Sequence, residues 1–388
     1  MKLLHVIGSM DPHLGGVCQT VRNFAPEFIQ RGNSVEVVCL DDPNSEHLAA
    51  DNFRIHALGR GRGSWNYHPS LYPWLTEHLP NYDAVILNGL WQSQGHALWR
   101  AARRPSSPPY YIFPHGMLDP WFQKISVRPA KALRNWIFWK IVEHCIVHES
   151  AGLLFTCEEE RRLARLPFRP YAPKREEVVG LGLPEPPEYH PRMKAAFLEK
   201  CPALADRKYF LFVGRLHPKK GVDLLVKAYA TLCRTLQNKT LPDLVIAGPG
   251  GETTFGKMVQ KLASEICAPN RVWWPGMLTG DAKWGALYNC EASILPSHQE
   301  NYGVAVVETL ACGRPVLISN QVNIWREIEA SGAALVRADS VPGTTQLLDA
   351  WVGLSAEANS KMVAQARPCF QRHFSLENAT RRLISAIA

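Results

Sequence analysis

The sequence predicts an α/β protein made of two Rossmann-like, doubly wound domains facing across a cleft. Its 388 residues exceed one ordinary core and suit two domains of about 100–200 residues each. Short Val/Ile/Leu-rich runs alternate with longer helical patterns, the mark of a parallel sheet covered by helices. The alternation breaks once, at the proline-rich Leu181–Pro191, and then starts again.

Taken in order, the N-terminal half offers strands at Leu3–Ile7, Ser34–Leu40, Ala84–Leu87, Tyr110–Phe113 and Leu153–Thr156. Its helical patterns fall at about Val17–Gln30, Leu71–His78, Ala130–His148 and Glu158–Arg165. Prolines in Leu181–Pro191 forbid regular hydrogen bonding, so this segment is the expected hinge. Beyond it come strands at Phe210–Val213, Leu244–Ala247, Val272–Trp274, Ala292–Leu295, Val316–Ile318 and Ala334–Val336. The expected divisions are residues 1–183, residues 184–370, and a terminal helical stretch, residues 371–388, that can return to the first domain. Sheets of this kind bind ligands outside the carboxyl ends of their strands, which puts the expected site in the cleft.

Composition narrows the function classes. Hydrophobic residues make up 46% and charged residues 20% of the chain, enough apolar material for two cores and no mark of disorder. Leu3–Ile7 is too short for a secretory leader, and no window approaches the roughly 18–20 apolar residues of a membrane span. The ten cysteines form neither a Cys-x-x-Cys pair nor a Cys/His cluster, which favours reduced thiols and a cytoplasmic location. The net charge of +8 admits nucleic acid, an anionic membrane or a phosphorylated ligand. Much of it is local: Arg100, Arg103, Arg104, Lys124, Arg128, Lys131, Arg134 and Lys140 share their stretch with one acid, Asp119.

Two motifs carry chemistry. Gly214-Arg215-Leu216-His217-Pro218-Lys219-Lys220-Gly221 follows a strand and precedes a helix, so Arg215 and Lys220 can converge on a diphosphate while the glycines turn the chain. The same residues also suit a solvated basic loop. Pro296-Ser297-His298-Gln299-Glu300-Asn301-Tyr302-Gly303 follows another strand, with Glu308 in the early turns of the next helix. The N–H groups of Asn301, Tyr302 and Gly303 would face an anion, and a carboxylate there can accept two hydrogen bonds from a vicinal diol. A glutamate that merely complements the helix dipole fits as well.

Glu300 and Glu308, with an aromatic-Gly pair between them, resemble the paired-glutamate motif of the family-4 retaining glycosyltransferases, whose fold is GT-B. Gly214-Arg215 and Lys220-Gly221 extend the resemblance, as do Gly15-Gly16, Asn88-Gly89-Leu90-Trp91, Pro114-His115-Gly116-Met117 and Ile246-Ala247-Gly248-Pro249-Gly250. The linker departs from it, reading Gly180-Leu181-Gly182 where the family often has Asn-Gly. The resemblance implies that Arg215 and Lys220 hold the donor phosphates, Glu308 the ribose and Glu300 the donor sugar. It implies that main-chain groups near Met277 meet the base, that Gly248 belongs to the donor site, and that His115 lies beside the sugar to orient it or stabilise charge. It implies front-face transfer with retained configuration, a donor phosphate oxygen taking the acceptor proton. The implied catalytic set is His115, Arg215, Lys220 and Glu300.

Gly15 and Gly16 precede a helix and can bring N–H groups to a phosphate, or form a simple turn. Trp65 and Tyr67 offer stacking faces for an acceptor sugar or belong to a packed loop, and Asn88 joins them as an acceptor candidate. The absence of an Asp-x-Asp triplet and of metal-ligand spacing predicts no metal and no cofactor beyond the donor. Trp136, Ile137, Phe138 and Trp139 with the Arg100–Lys140 charges can rest on an anionic membrane or pack into the core. The expected function is transfer of a hexose, UDP-glucose first among donors, to a glycan or lipid-linked glycan, as in exopolysaccharide assembly, by a cytoplasmic or peripheral enzyme. A sugar-nucleotide epimerase or hydrolase is the rival enzyme. Nucleic-acid binding is the rival without catalysis, and it lacks a recognisable binding module.

Overall fold

A computed structural model describes residues 1–49, 51–123, 129–235 and 241–388. The chain divides into two compact units, Met1–Pro184 with Leu376–Ala388, and Glu185–Ser375.

The first unit is built on seven parallel strands: β1 (Lys2–Ile7), β2 (Ser34–Cys39), β3 (Arg54–Ala57), β4 (Ala84–Asn88), β5 (Tyr110–Phe113), β6 (Gly152–Phe155) and β7 (Glu176–Val178). Their order is β3-β2-β1-β4-β5-β6-β7, so the winding reverses between β1 and β4. Helices cover both faces, which is why the central strands β4, β5 and β6 are buried along their whole length. The sequence pattern misses β3 and β7. They are the sheet edges, only partly buried, and read Arg-Ile-His-Ala and Glu-Glu-Val in place of an apolar run.

The terminal helix Leu376–Ile387 completes this unit. Ala379, Leu383, Ala386 and Ile387 join Phe24 and Phe28 of the helix Val17–Gln30 in the core on one face of the sheet. Burying each large apolar side chain stabilises by about 1.5–3 kcal/mol. The helix seats tightly because residue 182 is glycine: a Cβ there would lie 2.8 Å from the Ala379 Cβ and 2.9 Å from the Leu376 Cα, and its φ of +65° favours glycine. The Gly180-Leu181-Gly182 sequence thus has a packing reason inside this unit.

The helix expected at Ala130–His148 is broken into three. An α segment, Pro129–Phe138, leads into a π turn, Trp139–Glu143, and α geometry resumes at His144–Glu149. The π turn presents two buried side chains that a continuous α-helix would place differently. The Trp139 indole donates to the Pro170 carbonyl at 2.9 Å, and Glu143 accepts the Trp91 N–H at 2.6 Å. The other Glu143 oxygen is buried without a hydrogen-bond partner among the described residues.

The second unit is a six-stranded parallel sheet of β8 (Tyr209–Val213), β9 (Asp243–Ala247), β10 (Val272–Gly276), β11 (Ala292–Leu295), β12 (Val316–Ser319) and β13 (Ala334–Arg337). The order β10-β9-β8-β11-β12-β13 reverses between β8 and β11, which pair through Ala292–Phe210 and Ser293–Leu211. Ligands of doubly wound sheets lie at such reversals. Among the described residues no helix is long and apolar enough to cross a membrane.

Burial pushes the Glu143 carboxyl up to about 7, against one hydrogen bond from Trp91 that favours the anion. A carboxyl whose folded value is raised holds its extra proton between about 4.5 and 7, so its contribution to stability is lost as pH rises through that window. Glu143→Gln keeps the shape and cannot ionise. Its unfolding free energy relative to the parent is expected to improve by about 2–3 kcal/mol between pH 5 and pH 8, measured by denaturant titration at both values.

Candidate active site

At the β8/β11 reversal the two sequence motifs become one structure. The loop after β8 carries Gly214, Arg215 and Lys220, and the loop after β11 carries Glu300. They are fastened through a single carbonyl: Lys219 O accepts the His298 N–H at 2.8 Å and the Ser297 hydroxyl at 2.9 Å. Gly221 seals the join, since a Cβ there would stand 2.1 Å from the Pro296 oxygen. From the other side, Glu300 N donates to Gln321 O and Glu300 O accepts from Asn323 N, both at 2.9 Å. A residue on this loop is therefore held from both directions.

A cavity of about 370 Å³ opens beside these loops. Arg215, Lys220, Glu300 and Glu308 line it, together with Gly214, Gly248, Met277 and Gly303. Gly248 is confined to glycine because a Cβ would meet the Gly214 oxygen at 1.9 Å. Gly303 caps the helix Val304–Ala311 with φ +74° and no side-chain cap, and Val304 and Ala305 border the cavity, so the helix start faces it. Met277 is 66% exposed. Asn301 and Tyr302 do not line the cavity. The Tyr302 ring is buried edge-on against Phe374, and the Asn301 amide oxygen accepts from Asn323 at 3.3 Å.

The charges are arranged in pairs. Lys220 donates to Glu300, and Lys283 Nζ lies 2.6 Å from Glu308 Oε1, while Arg215 has no ion-pair partner among the described residues. Lys283 was missed in the sequence. It stands in the first turn of the helix Gly280–Asn289, just beyond the carboxyl end of β10. The rule that selects Lys220, a cation at a strand's carboxyl end, would have selected it too.

The remaining sequence candidates lie in the first unit. Gly15 and Asn88 line a cavity of about 820 Å³ at the β1/β4 reversal. Gly16 precedes the helix Val17–Gln30 without a side-chain cap but does not line the cavity. Trp65 lines a smaller adjoining cavity of about 190 Å³, packed against Phe138 and His96. Tyr67 stacks on Trp65, is half exposed, and lines neither cavity.

Asn88 is engaged as well as buried. Its Nδ2 donates to His5 Nδ1 at 3.1 Å and to the Ile86 carbonyl at 3.2 Å, which turns Oδ1 toward His115 Nε2, 3.3 Å away. That orientation makes Nε2 the protonated nitrogen of a neutral His115 and leaves Nδ1 as acceptor. Burial, with a smaller effect of His5, pushes His115 down to about 3, so the ring stays uncharged at neutral pH. It can orient a hydroxyl. It brings no positive charge. His5, the buried strand residue that joins this chain of hydrogen bonds, stands in no motif and was missed in the sequence.

Comparison with known proteins fits this geometry. The family described as "Glycosyl transferases group 1" matches residues 195–367, and the "Glycosyl transferase 4-like domain" matches residues 15–182. A D-inositol 3-phosphate glycosyltransferase of Rhodococcus jostii is 31% identical over 249 residues, covering 63% of this chain and 52% of its own length. The chain thus spans about half the length of that relative. An uncharacterized glycosyltransferase of Methanocaldococcus jannaschii is 30% identical over 344 residues, covering 82% of this chain and 80% of its own. Among solved structures, HepE of Anabaena in complex with UDP and glucose has a TM-score of 0.75 at 15% identity, covering 99% of this chain and 98% of that one. A glycosyltransferase from Rickettsia africae has a TM-score of 0.78 at 15% identity, covering 100% and 97%. Two family models that together run from residue 15 to residue 367, and a relative 30% identical across 80% of its own length, place this chain in the group 1 glycosyltransferases.

Proposed function

We propose that the protein transfers a hexose from a nucleoside diphosphate sugar, UDP-glucose first among candidates, to a hydroxyl of a glycan or lipid-linked glycan. The reading has configuration retained and no metal required. The observation that carries it is the lining of the second unit's cavity: three cations, Arg215, Lys220 and Lys283, around the two carboxylates Glu300 and Glu308. A donor needs both kinds of group, cations for the diphosphate and carboxylates for ribose and sugar hydroxyls. HepE, solved with UDP-glucose, supports that donor choice. The ten free cysteines support a reducing, cytoplasmic setting.

In this reading Arg215 and Lys220 grip the diphosphate, and the start of the helix Val304–Ala311 adds N–H donors. Glu308 accepts from the ribose and Lys283 holds that carboxylate in place. Glu300 accepts from the transferred sugar. The acceptor hydroxyl attacks the anomeric carbon on the face the diphosphate leaves, its proton passing to a phosphate oxygen as the glycosidic bond breaks. His115, neutral, orients the sugar. Stabilising the departing diphosphate is then the main catalytic work of the cations.

A membrane surface is a further reading, favoured by one observation. Leu133, Trp136, Ile137 and Ile141 are 58%, 52%, 43% and 68% exposed, while Trp139 alone of the Trp136–Trp139 run is fully buried. Lys140 stands 5.9 Å from the Trp136 ring centroid. Apolar side chains flanked by cations suit the headgroup region of an anionic bilayer. Lys124 and Arg128 of the basic stretch lie outside the described residues.

The two glutamates are expected to separate by role. Losing a hydrogen bond to a charged group costs about 1.5–3 kcal/mol, so Glu308→Ala should weaken both UDP and the intact donor about ten- to a hundredfold. Glu300→Ala should leave UDP affinity unchanged or raised, because Lys220 loses a competing partner, while turnover falls. Calorimetry with UDP and UDP-glucose on both variants checks this, and the opposite pattern reverses the assignment. Turnover of a nucleotide-sugar panel is expected to persist in EDTA; abolition by EDTA with recovery on added manganese contradicts the metal-free reading, and interconversion of the sugars without transfer favours an epimerase. Binding to vesicles rich in anionic lipid should exceed binding to neutral vesicles and fall as salt screens the attraction over about 8–10 Å. Equal sedimentation with both vesicle types would rule the surface out.

A further inference from the structure

His115 stands in a turn that needs outside support. Its φ is +51° and that of Gly116 is +80°, and for a histidine such a backbone is strained unless its surroundings hold it. Within the turn, Met117 N donates to Pro114 O at 3.0 Å, and the His115 ring stacks on Phe113 with centroids 4.3 Å apart. A further hold comes from another element. Gly116 N donates to Glu160 Oε1 at 2.5 Å. Glu160 is 2% exposed and belongs to the helix Glu158–Ala164, which follows β6.

The other oxygen, Glu160 Oε2, accepts the Thr156 N–H at 2.7 Å and the Thr156 hydroxyl at 2.6 Å, which serves the start of its own helix. Oε1 is turned to the neighbouring loop, and a carboxylate this deep is tolerated because donors meet both oxygens. The loop after β4 is held in a similar way: Glu143 accepts the N–H of Trp91, whose φ is +73°. Met117 joins the two loops, its sulfur accepting the Leu90 N–H at 3.2 Å and its carbonyl the Trp91 indole at 3.4 Å. We infer that Glu160 is a positioning residue for the transfer reaction: through the Gly116 N–H it holds the turn that aims the His115 ring at the sugar. This rests on the transferase reading above and adds to it a residue that acts through His115.

Glu160→Gln separates positioning from capping. Its amide oxygen is expected on the side of the two Thr156 donors, which turns the amide nitrogen toward the Gly116 N–H and sets a donor where an acceptor stood. In the full chain, kcat for UDP-glucose with water as acceptor should fall about ten- to a hundredfold, with KM within about twofold of the parent. In a His115→Ala background the same substitution should add less than about twofold, because the ring it serves is gone. An equal loss in both backgrounds is what a merely structural role gives, and it overturns the inference. Glu160→Asp keeps the charge and a capping acceptor on a shorter side chain; it is the second variant, expected to lose turnover with the same dependence on His115. Heteronuclear NMR of histidine-labelled protein gives a reading that needs no turnover, the His115 signals being identified by their absence from His115→Ala. One neutral tautomer is expected in the parent, and shifted or broadened ring signals in Glu160→Gln. Unchanged His115 signals, in a protein that turns over nucleotide sugars, overturn this inference alone. No turnover of any nucleotide sugar by the parent overturns the transferase reading and this inference with it.

Discussion

The candidate donor site depends on one close approach, that of residue 221 to the Pro296 carbonyl. With no room for a Cβ at that point, the loop after β8 and the loop after β11 lie against each other, and the Lys219 carbonyl binds them with two hydrogen bonds. Everything chemical follows from that join. It places Lys220 on Glu300, fixes the loop that leads into the helix Val304–Ala311, and so sets where Glu308 can meet Lys283. Reach across 80 residues of sequence is supplied by two adjacent strands, and precision by the backbone between them.

The paired charges bear on how such a site waits for its ligand. Carboxylates and ammonium groups left unpaired in a partly enclosed cavity would each carry a desolvation cost, and pairing offsets it. A diphosphate entering the cavity would compete for the lysines, while sugar hydroxyls would take their place on the glutamates. The ligand would exchange existing interactions for its own. Arg215, exposed and without an ion-pair partner among the described residues, stands apart from that exchange.

Much of this was legible in the sequence, and the exceptions share a cause. The central strands are continuous apolar runs because both of their faces are buried, and the helices Val17–Gln30 and Leu71–His78 carry the one apolar stripe that meets the core. The edge strands β3 and β7 are half in water and carry charge, so periodicity passes over them. The π turn at Trp139–Glu143 is set by two buried side chains reaching Pro170 and Trp91, contacts that no local pattern encodes. In the site, Arg215, Lys220, Glu300 and Glu308 stand in motifs, whereas Lys283 is a single lysine whose meaning comes from its neighbour in space. Asn88 was read as an acceptor residue from its place after a strand. Its amide is turned inward by His5 and the Ile86 carbonyl, a matter of side-chain geometry.

The return of residues 376–388 to the first unit means that the second is, in connectivity, an insertion within it. During synthesis the first unit's sheet is complete long before Ala379, Leu383, Ala386 and Ile387 emerge, so the part of one apolar face that the helix Val17–Gln30 does not cover stays open while some 190 residues of another unit are made. The second unit, by contrast, is contiguous and can close its core as soon as it is made. The order of completion therefore runs against the order of translation, and the emerging chain carries uncovered apolar surface until the helix Leu376–Ile387 docks.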